Sequence, residues 1–448
     1  QKRWIILFVA LLSISFLGLF YSGHEGVFTD IDSNLNFADI AWMITATIFV
    51  LMMTPGLSFF YGGMVRSKNV ISTMLQSFIA MGVISVIWVV VGFSLAFGED
   101  VGHFIGNPGT FFMFVNVGGA TDKLLAPTIP LALYALFQMK FAIITPSLIT
   151  GSFAERVRFS GYLVFMILFC IFVYCPLAHW TWHPDGFLRQ MGVLDFAGGI
   201  VVHASSGVAA LAGAIFLGRR KESGQPANIP FVLLGAAMLW LGWFGFNAGS
   251  SLAANSIAVK AFLNTNTASA TAMMTWVVFD CLRGRKPSAM GAAIGAVVGL
   301  VAITPSAGYV TVGESIFIAL VVTVICNMAV SWKNKKNSFD DALDVFPTHG
   351  VGGIVGTIMT GIFVYNATEN ITYWQNLLNH IIAVVIVCGY TFIVTYALYW
   401  ITDKMIPMRV SEKSEKIGLD MSQHDERYGI ETNRELAEYF DHGVDTKS

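Results

Sequence analysis

Stretches of about twenty consecutive apolar residues recur along the whole 448-residue chain, and each is long enough to cross a bilayer as a helix. No single water-soluble core accommodates them, because one core stops growing near about 250–300 residues. Composition agrees: 55% of the chain is hydrophobic and only 12% charged, against roughly 25% charged in an ordinary soluble protein. The surplus apolar surface must face lipid, and the chain reads as an all-α polytopic membrane protein. A net charge of −2 supplies no basic face for nucleic acid. The five cysteines (Cys170, Cys175, Cys281, Cys326, Cys388) lie in or at the ends of apolar runs, with no CxxC or His-paired spacing. They read as packing residues, and neither a metal nor a cofactor is expected.

Eleven spans are predicted: 39–62, 70–97, 127–150, 159–181, 195–218, 229–249, 255–282, 288–304, 311–331, 349–365 and 378–402. Alternate connections carry Arg66 and Lys68; Arg156 and Arg158; Arg219, Arg220 and Lys221; Arg283, Arg285 and Lys286; and Lys333, Lys335 and Lys336. The opposite connections carry only Lys123 and Arg189. An excess of Lys and Arg marks the cytoplasmic side. The odd count then puts residue 39 outside and the segment 403–448 in the cytoplasm as a tail. Residues 1–24 read as a signal peptide or an additional helix, since Lys2 and Arg3 precede the apolar run Trp4 to Phe20. Either leaves residue 39 outside, though Phe20 and Tyr21 are large where a cleavage site wants small residues. The transmembrane domain is expected over 39–402.

Segments five spans apart echo one another. Span five opens on Asp195 and carries His203; span ten follows Asp344 and carries His349. Span one ends "PGLSFFYGGM" and span six ends "GWFGFNAGSS". Five is odd, so the halves have opposite topology. The expected architecture is eleven helices, a 5+5 inverted repeat plus a final helix, with the solute path between the halves near the midplane.

Ionisable residues inside a bilayer are costly and mark a pathway by default. His203 lies about 12 Å along its helix at 1.5 Å per residue, and His349 opens a Gly-rich segment that lets helices approach closely. Two neutral imidazoles can hydrogen-bond and still offer a donor and an acceptor to a small guest. Asp195 and Asp344 stand where N-caps are expected. Trp182 closes span four outside, Ser250 ends span six, and Phe141 lies within span three. A cage of Trp182 and Phe141 with the Ser250 hydroxyl suits a small cation. Lys260 can snorkel; Lys140 lies deep beside Phe141 and has no evident role.

Jointly, "DFAGGIVVH", "WFGFNAGS", "FYGGMVRSKNV", "FAERVRFSGYL", "DVFPTHGVGGIVG" and "TPSAGYV" resemble the ammonium transporter (Amt/Mep/Rh) family, in its bacterial Amt branch, from about residue 39 to 430. The resemblance implies a homotrimer in the cell membrane with one pore per subunit. It implies that His203 and His349 are the twin pore histidines, and that Phe141 and Phe246 close the outer mouth. By the same resemblance Trp182 and Ser250 bind the external cation, and Asp195 is the acid near the entrance. "GLDMSQHDERY" resembles the family's cytoplasmic tail motif, with Asp425 where Gly is usual. If that position is left-handed, Asp tolerates it better than most residues. A PII-type cytosolic regulator is compatible with such a tail.

The expected activity is ammonium transport. Ammonium would be captured outside, deprotonated, and conducted as ammonia past the histidines, with the proton either following or returning; methylammonium would serve as an analogue. One alternative is an ammonium sensor, ranked lower because 403–448 is too short for a kinase or cyclase domain. Another is a channel for a neutral molecule such as carbon dioxide. A membrane enzyme is disfavoured, since no nucleophile motif appears. Asn366 and Asn370 open Asn-X-Thr sequons on the outer side.

Overall fold

The computed structural model describes residues 2–21, 32–336, 339–364 and 371–429. The two sequon asparagines, residues 22–31 and the tail beyond 429 lie outside the described residues. Each predicted span is occupied by helix. After α1 (Lys2–Tyr21) come α2 (Phe37–Met64) and α3 (Val70–Ile87, running on to Phe97), then α4 (Leu131–Ile149) and α5 (Phe159–Phe169, running on to Trp182). Next are α6 (Gly199–Leu217), α7 (Ile229–Ala248), α8 (Ser256–Leu282), α9 (Ala289–Ile303) and α10 (Val312–Lys336). The series closes with α11 (Phe346–Phe363) and α12 (Tyr373–Met405). Among the described residues, nine helices are long and apolar enough to cross a membrane. α9 and α11 are shorter, with 15 residues in the first and 13 in the regular part of the second, and the 27-residue α8 is long enough but less apolar.

The apolar faces divide as the lipid argument requires. α1 is exposed along its length, and α8, α10 and α12 show large apolar side chains outward, including Val259, Leu320 and Val385. α4 and α6 are buried almost throughout. They form the centre of the bundle, and the candidate path runs along them. α2 and α7, the first helices of the two echoing halves, pack closely along a seam of small residues. A Cβ on Gly63 would lie 2.5 Å from the Asn228 carbonyl, and one on Gly245 2.5 Å from that of Ala46. Close backbone approach over small residues replaces the hydrophobic driving force that helices lack inside lipid.

Both histidine-bearing helices begin in π-helical turns, Gly199–Ala204 and Phe346–Gly350. Such turns leave the regular hydrogen-bond ladder locally and recur at functional sites. Here they are paired across the two halves and place one imidazole each.

On the face that carries the Lys- and Arg-rich connections the charges are organised rather than free. Buried Glu155 receives Arg66 and Arg220 at 3.1 Å each, and Arg220 also holds Asp340 at 2.8 Å. The tail segment 412–428 lies against this layer. Asp420 accepts backbone N–H groups of Ile71 and Ser72 at the start of α3, and Gln423 accepts the Phe159 N–H at the start of α5.

Candidate functional site

A column of rings runs from the end of α5 into the bundle. Trp182 ends α5, and its indole meets the Phe141 ring of α4 edge-on, with centroids 5.8 Å apart at 84°. Phe141 stacks on Phe246 of α7 at 4.3 Å and 26°. Phe246 is 5.9 Å from the His203 ring, which lies 5.4 Å from that of His349. Trp182 is half-buried, whereas Phe141, Phe246, His203 and His349 are buried.

Outside the phenylalanines is a vestibule of about 600 Å³ lined in part by Trp182, Tyr134, Leu252 and Arg189. Beside it, Ser250 sits in the short turn that ends α7, and its hydroxyl donates to the Phe246 carbonyl at 2.8 Å. With the proton committed to the backbone, the oxygen lone pairs stay available for a cation. Right-angled Trp182 and Phe141 rings supply two π faces, the geometry that attracts a small cation without a counter-charge.

Inside the phenylalanines is a narrow cavity walled by Leu57, Ile144, Leu148, Val202 and Val297 as well as the two histidines. The imidazoles face each other, Nδ1 to Nδ1, at 3.3 Å. One nitrogen must carry the hydrogen and the other must accept it, so the accepting ring is neutral and the two rings are never both doubly protonated while that bond stands. His203 Nε2 has no hydrogen-bond partner among the described residues. It is a buried polar atom beside an apolar cavity, and a guest that hydrogen-bonds would satisfy it. Trp243 braces the pair: its ring stacks on His203 at 5.2 Å, and its indole N–H donates to Thr304 at 2.8 Å.

Asp195 is consumed locally. Its carboxylate accepts four backbone N–H groups, from Gly198, Gly199, Ile200 and Val201, at 2.6–3.2 Å. It is the cap of the first π turn. It reaches the outer site through its backbone carbonyl, which accepts the Trp182 indole N–H at 3.0 Å.

The echo of Asp195 is Asp341, which corrects the expectation placed on Asp344. Asp341 accepts the N–H groups of Val345 and Phe346 at 3.1 and 2.7 Å, capping the second π turn. Asp344 instead takes a left-handed backbone (φ 59°) and pairs with Lys333 at 2.5 Å. Trp243 and Asp341 are thus the site residues that sequence reasoning missed. For Asp341 a signal existed, since it precedes His349 by the same interval as Asp195 precedes His203. Lys140 is buried, with its amine 3.7 Å from the Met139 sulfur, and it does not line the cavity.

A profile of the Ammonium Transporter Family matches residues 41–428. A putative ammonium transporter of Methanothermobacter thermautotrophicus is 45% identical over 88% of this chain and 98% of its own length. The ammonium transporter of Bacillus subtilis is 41% identical over 88% and 98%. Among solved structures, Saccharomyces cerevisiae Mep2 superposes with a TM-score of 0.79 at 33% identity, covering 90% of this chain and 96% of that one. A protein described as a sensor Amt protein superposes with a TM-score of 0.80 at 29% identity, covering 86% and 98%.

Proposed function

The chain belongs to the Ammonium Transporter Family and is a multi-pass membrane protein, and from that premise we propose a mechanism of ammonium transport built on deprotonation. Ammonium binds between Trp182 and Ser250, passes Phe141 and Phe246, loses its proton, and crosses as ammonia beside His203 and His349. The observation that carries this reading is the pair of Nδ1-linked imidazoles at 3.3 Å in an apolar cavity directly behind stacked phenylalanines.

The argument is electrostatic. An ion at the membrane centre costs at least about 2.5–3.5 kcal/mol even on lenient scales, and the walls here offer no counter-charge. Ammonium is about as large as potassium, so the path cannot select it by size. Ammonium alone has a removable proton, and its neutral form finds a donor or acceptor in each imidazole. Eleven crossings arranged as a 5+5 repeat plus one, with the core's N-terminal end outside and the tail in the cytoplasm, belong to the same reading. The Lys and Arg asymmetry of the loops supports that orientation. A homotrimer and a PII-type cytosolic partner rest on family membership alone.

The test uses proteoliposomes. Ammonium and methylammonium should enter in competition, and rubidium should not enter. Rubidium flux comparable to that of ammonium would overturn deprotonation. Ammonium-evoked current reports the proton's fate: current means that it crosses, and ammonia flux without current means that it returns. Ligand binding without any flux would favour a sensor, as in the neighbour described by that name.

A further inference from the structure

The loop that orients Trp182 is tied from behind by α12, the helix outside both repeats. The Trp182 indole N–H donates to the Asp195 carbonyl. One residue earlier the backbone turns the other way, and the Leu194 N–H donates to Nε2 of His380 at 3.1 Å. Next to His380, Asn379 donates its amide to the Met191 carbonyl at 2.6 Å. Two adjacent side chains of α12 therefore hold residues 191–194, and residue 195 holds the indole.

The state of the His380 ring follows from its partners. Nε2 receives a backbone N–H and must present a lone pair. Nδ1 lies 2.7 Å from the Asn376 carbonyl and must carry the hydrogen. The ring is therefore one neutral tautomer with both nitrogens used. It is fully buried, and Gly361 of α11 makes room for it, since a Cβ there would lie 2.9 Å from the His380 Cβ. Leu194, Asn376 and Gly361 face it with backbone groups, and no charged side chain pairs with it among the described residues.

We propose that His380 is a positioning residue for the outer cation site: its neutral Nε2 fixes the Leu194–Asp195 backbone and thereby the Trp182 indole. The proposal rests on Trp182 being the capture residue. Among the described residues the Leu194 N–H has no other acceptor. Its removal strands a buried N–H and frees the segment that carries the Asp195 carbonyl.

The experiment uses the full chain in proteoliposomes with methylammonium, together with hydrogen exchange of residues 191–200. His380→Leu should raise the half-saturating concentration about tenfold, leave the maximal rate within about twofold, and speed exchange over 191–200. In His380→Gln an amide oxygen reaches the Nε2 position and cannot titrate. That variant should restore both readouts. If His380→Leu does not fold, His380→Asn replaces it, because its amide stops short of Leu194. Trp182→Leu should raise half-saturation alone, and adding His380→Leu should then change it no further. Unchanged exchange in His380→Leu overturns the proposal, as does an equal affinity loss in the Trp182→Leu background. Faster exchange with Trp182→Leu transporting normally leaves the tie standing and removes the capture reading beneath it.

Discussion

Gly207 and Gly353 make the same contact from opposite halves of the molecule. Gly207 lies four residues beyond His203 and Gly353 four beyond His349, where a Cβ would enter the other helix's π turn. For Gly207 the obstruction is the backbone of Gly350; for Gly353 it is the Gly199 carbonyl at 2.6 Å and the Ala204 nitrogen at 2.7 Å. The imidazoles meet because the two backbones do. Forced overpacking costs about 1–3 kcal/mol, sometimes more, and backbone atoms cannot swing aside. Gly207→Ala and Gly353→Ala should each lower the thermal midpoint of the purified protein, by similar amounts. A Gly207→Ala protein as stable as the parent would refute the shared-crossing account.

The two caps differ in load. At Asp195 each carboxylate oxygen accepts two N–H groups, whereas at Asp341 each accepts one. An asparagine offers one acceptor oxygen, so Asp195→Asn strands two N–H groups and Asp341→Asn one. At about 1–3 kcal/mol per stranded buried group, Asp195→Asn should be the more damaging. Unfolding midpoints of the two variants, compared near neutral pH, decide this; the reverse order would mean that the charges, not the hydrogen bonds, hold the turns.

These caps also show what sequence can and cannot reveal. The spans were legible because lipid demands long apolar runs. His203 and His349 stood out as polar residues in apolar surroundings. Asp341 was hidden by a nearer carboxylate: Asp344 adjoins span ten, and only the interval to the histidine distinguishes the two. The π turns leave no trace in hydropathy, because they change one hydrogen bond per turn rather than the residue pattern. His380 was illegible for a different reason. It acts through a backbone N–H far along the chain, and a backbone partner carries no side-chain signature.

The tail supplies caps that two helices lack. Neither Asn69 nor Arg158 caps its own helix with a side chain. Asp420 does so for α3 and Gln423 for α5, with acceptor distances of 2.7–3.1 Å. A missing cap costs about 0.5–2 kcal/mol. Asp420→Ala and Gln423→Ala should each speed hydrogen exchange over 412–428 and at the first turn of the helix they cap. Faster exchange in the tail alone would mean that the helices do not depend on it.

Asp425 stands where the family's tail motif usually has glycine, and its backbone is left-handed, at φ 55° and ψ 38°. Asp visits this region more readily than most residues. Asp425→Gly should therefore leave tail docking nearly unchanged. Asp425→Val forces a β-branched side chain into the same conformation, at about 1–2 kcal/mol. Limited proteolysis at 412–428 should separate the two, with Val cut faster than Asp or Gly; equal rates for all three would show that this conformation is not needed for docking.

The neighbouring carboxylates Asp340 and Asp341 should give opposite pH slopes. Burial works to raise the Asp340 pKa, but the hydrogen bonds and charge of Arg220 prevail, with Arg156 assisting, and hold it lowered to about 2 from 3.8. Its contribution is present above pH 3.8 and is lost as pH falls through about 2. At 1.36 kcal/mol per pKa unit it is worth about 2 kcal/mol. Burial raises Asp341 to about 6, with Lys333 only partly opposing and Asp344 adding to the rise. That group binds a proton on folding, so its contribution is present below 3.8 and is lost as pH rises through about 6. Unfolding midpoints measured from pH 2 to 7 should show Asp340→Asn with a flatter acid limb and Asp341→Asn with a flatter decline between about pH 4 and 6. Parallel curves for both variants and the parent would show that neither carboxylate titrates as its surroundings dictate.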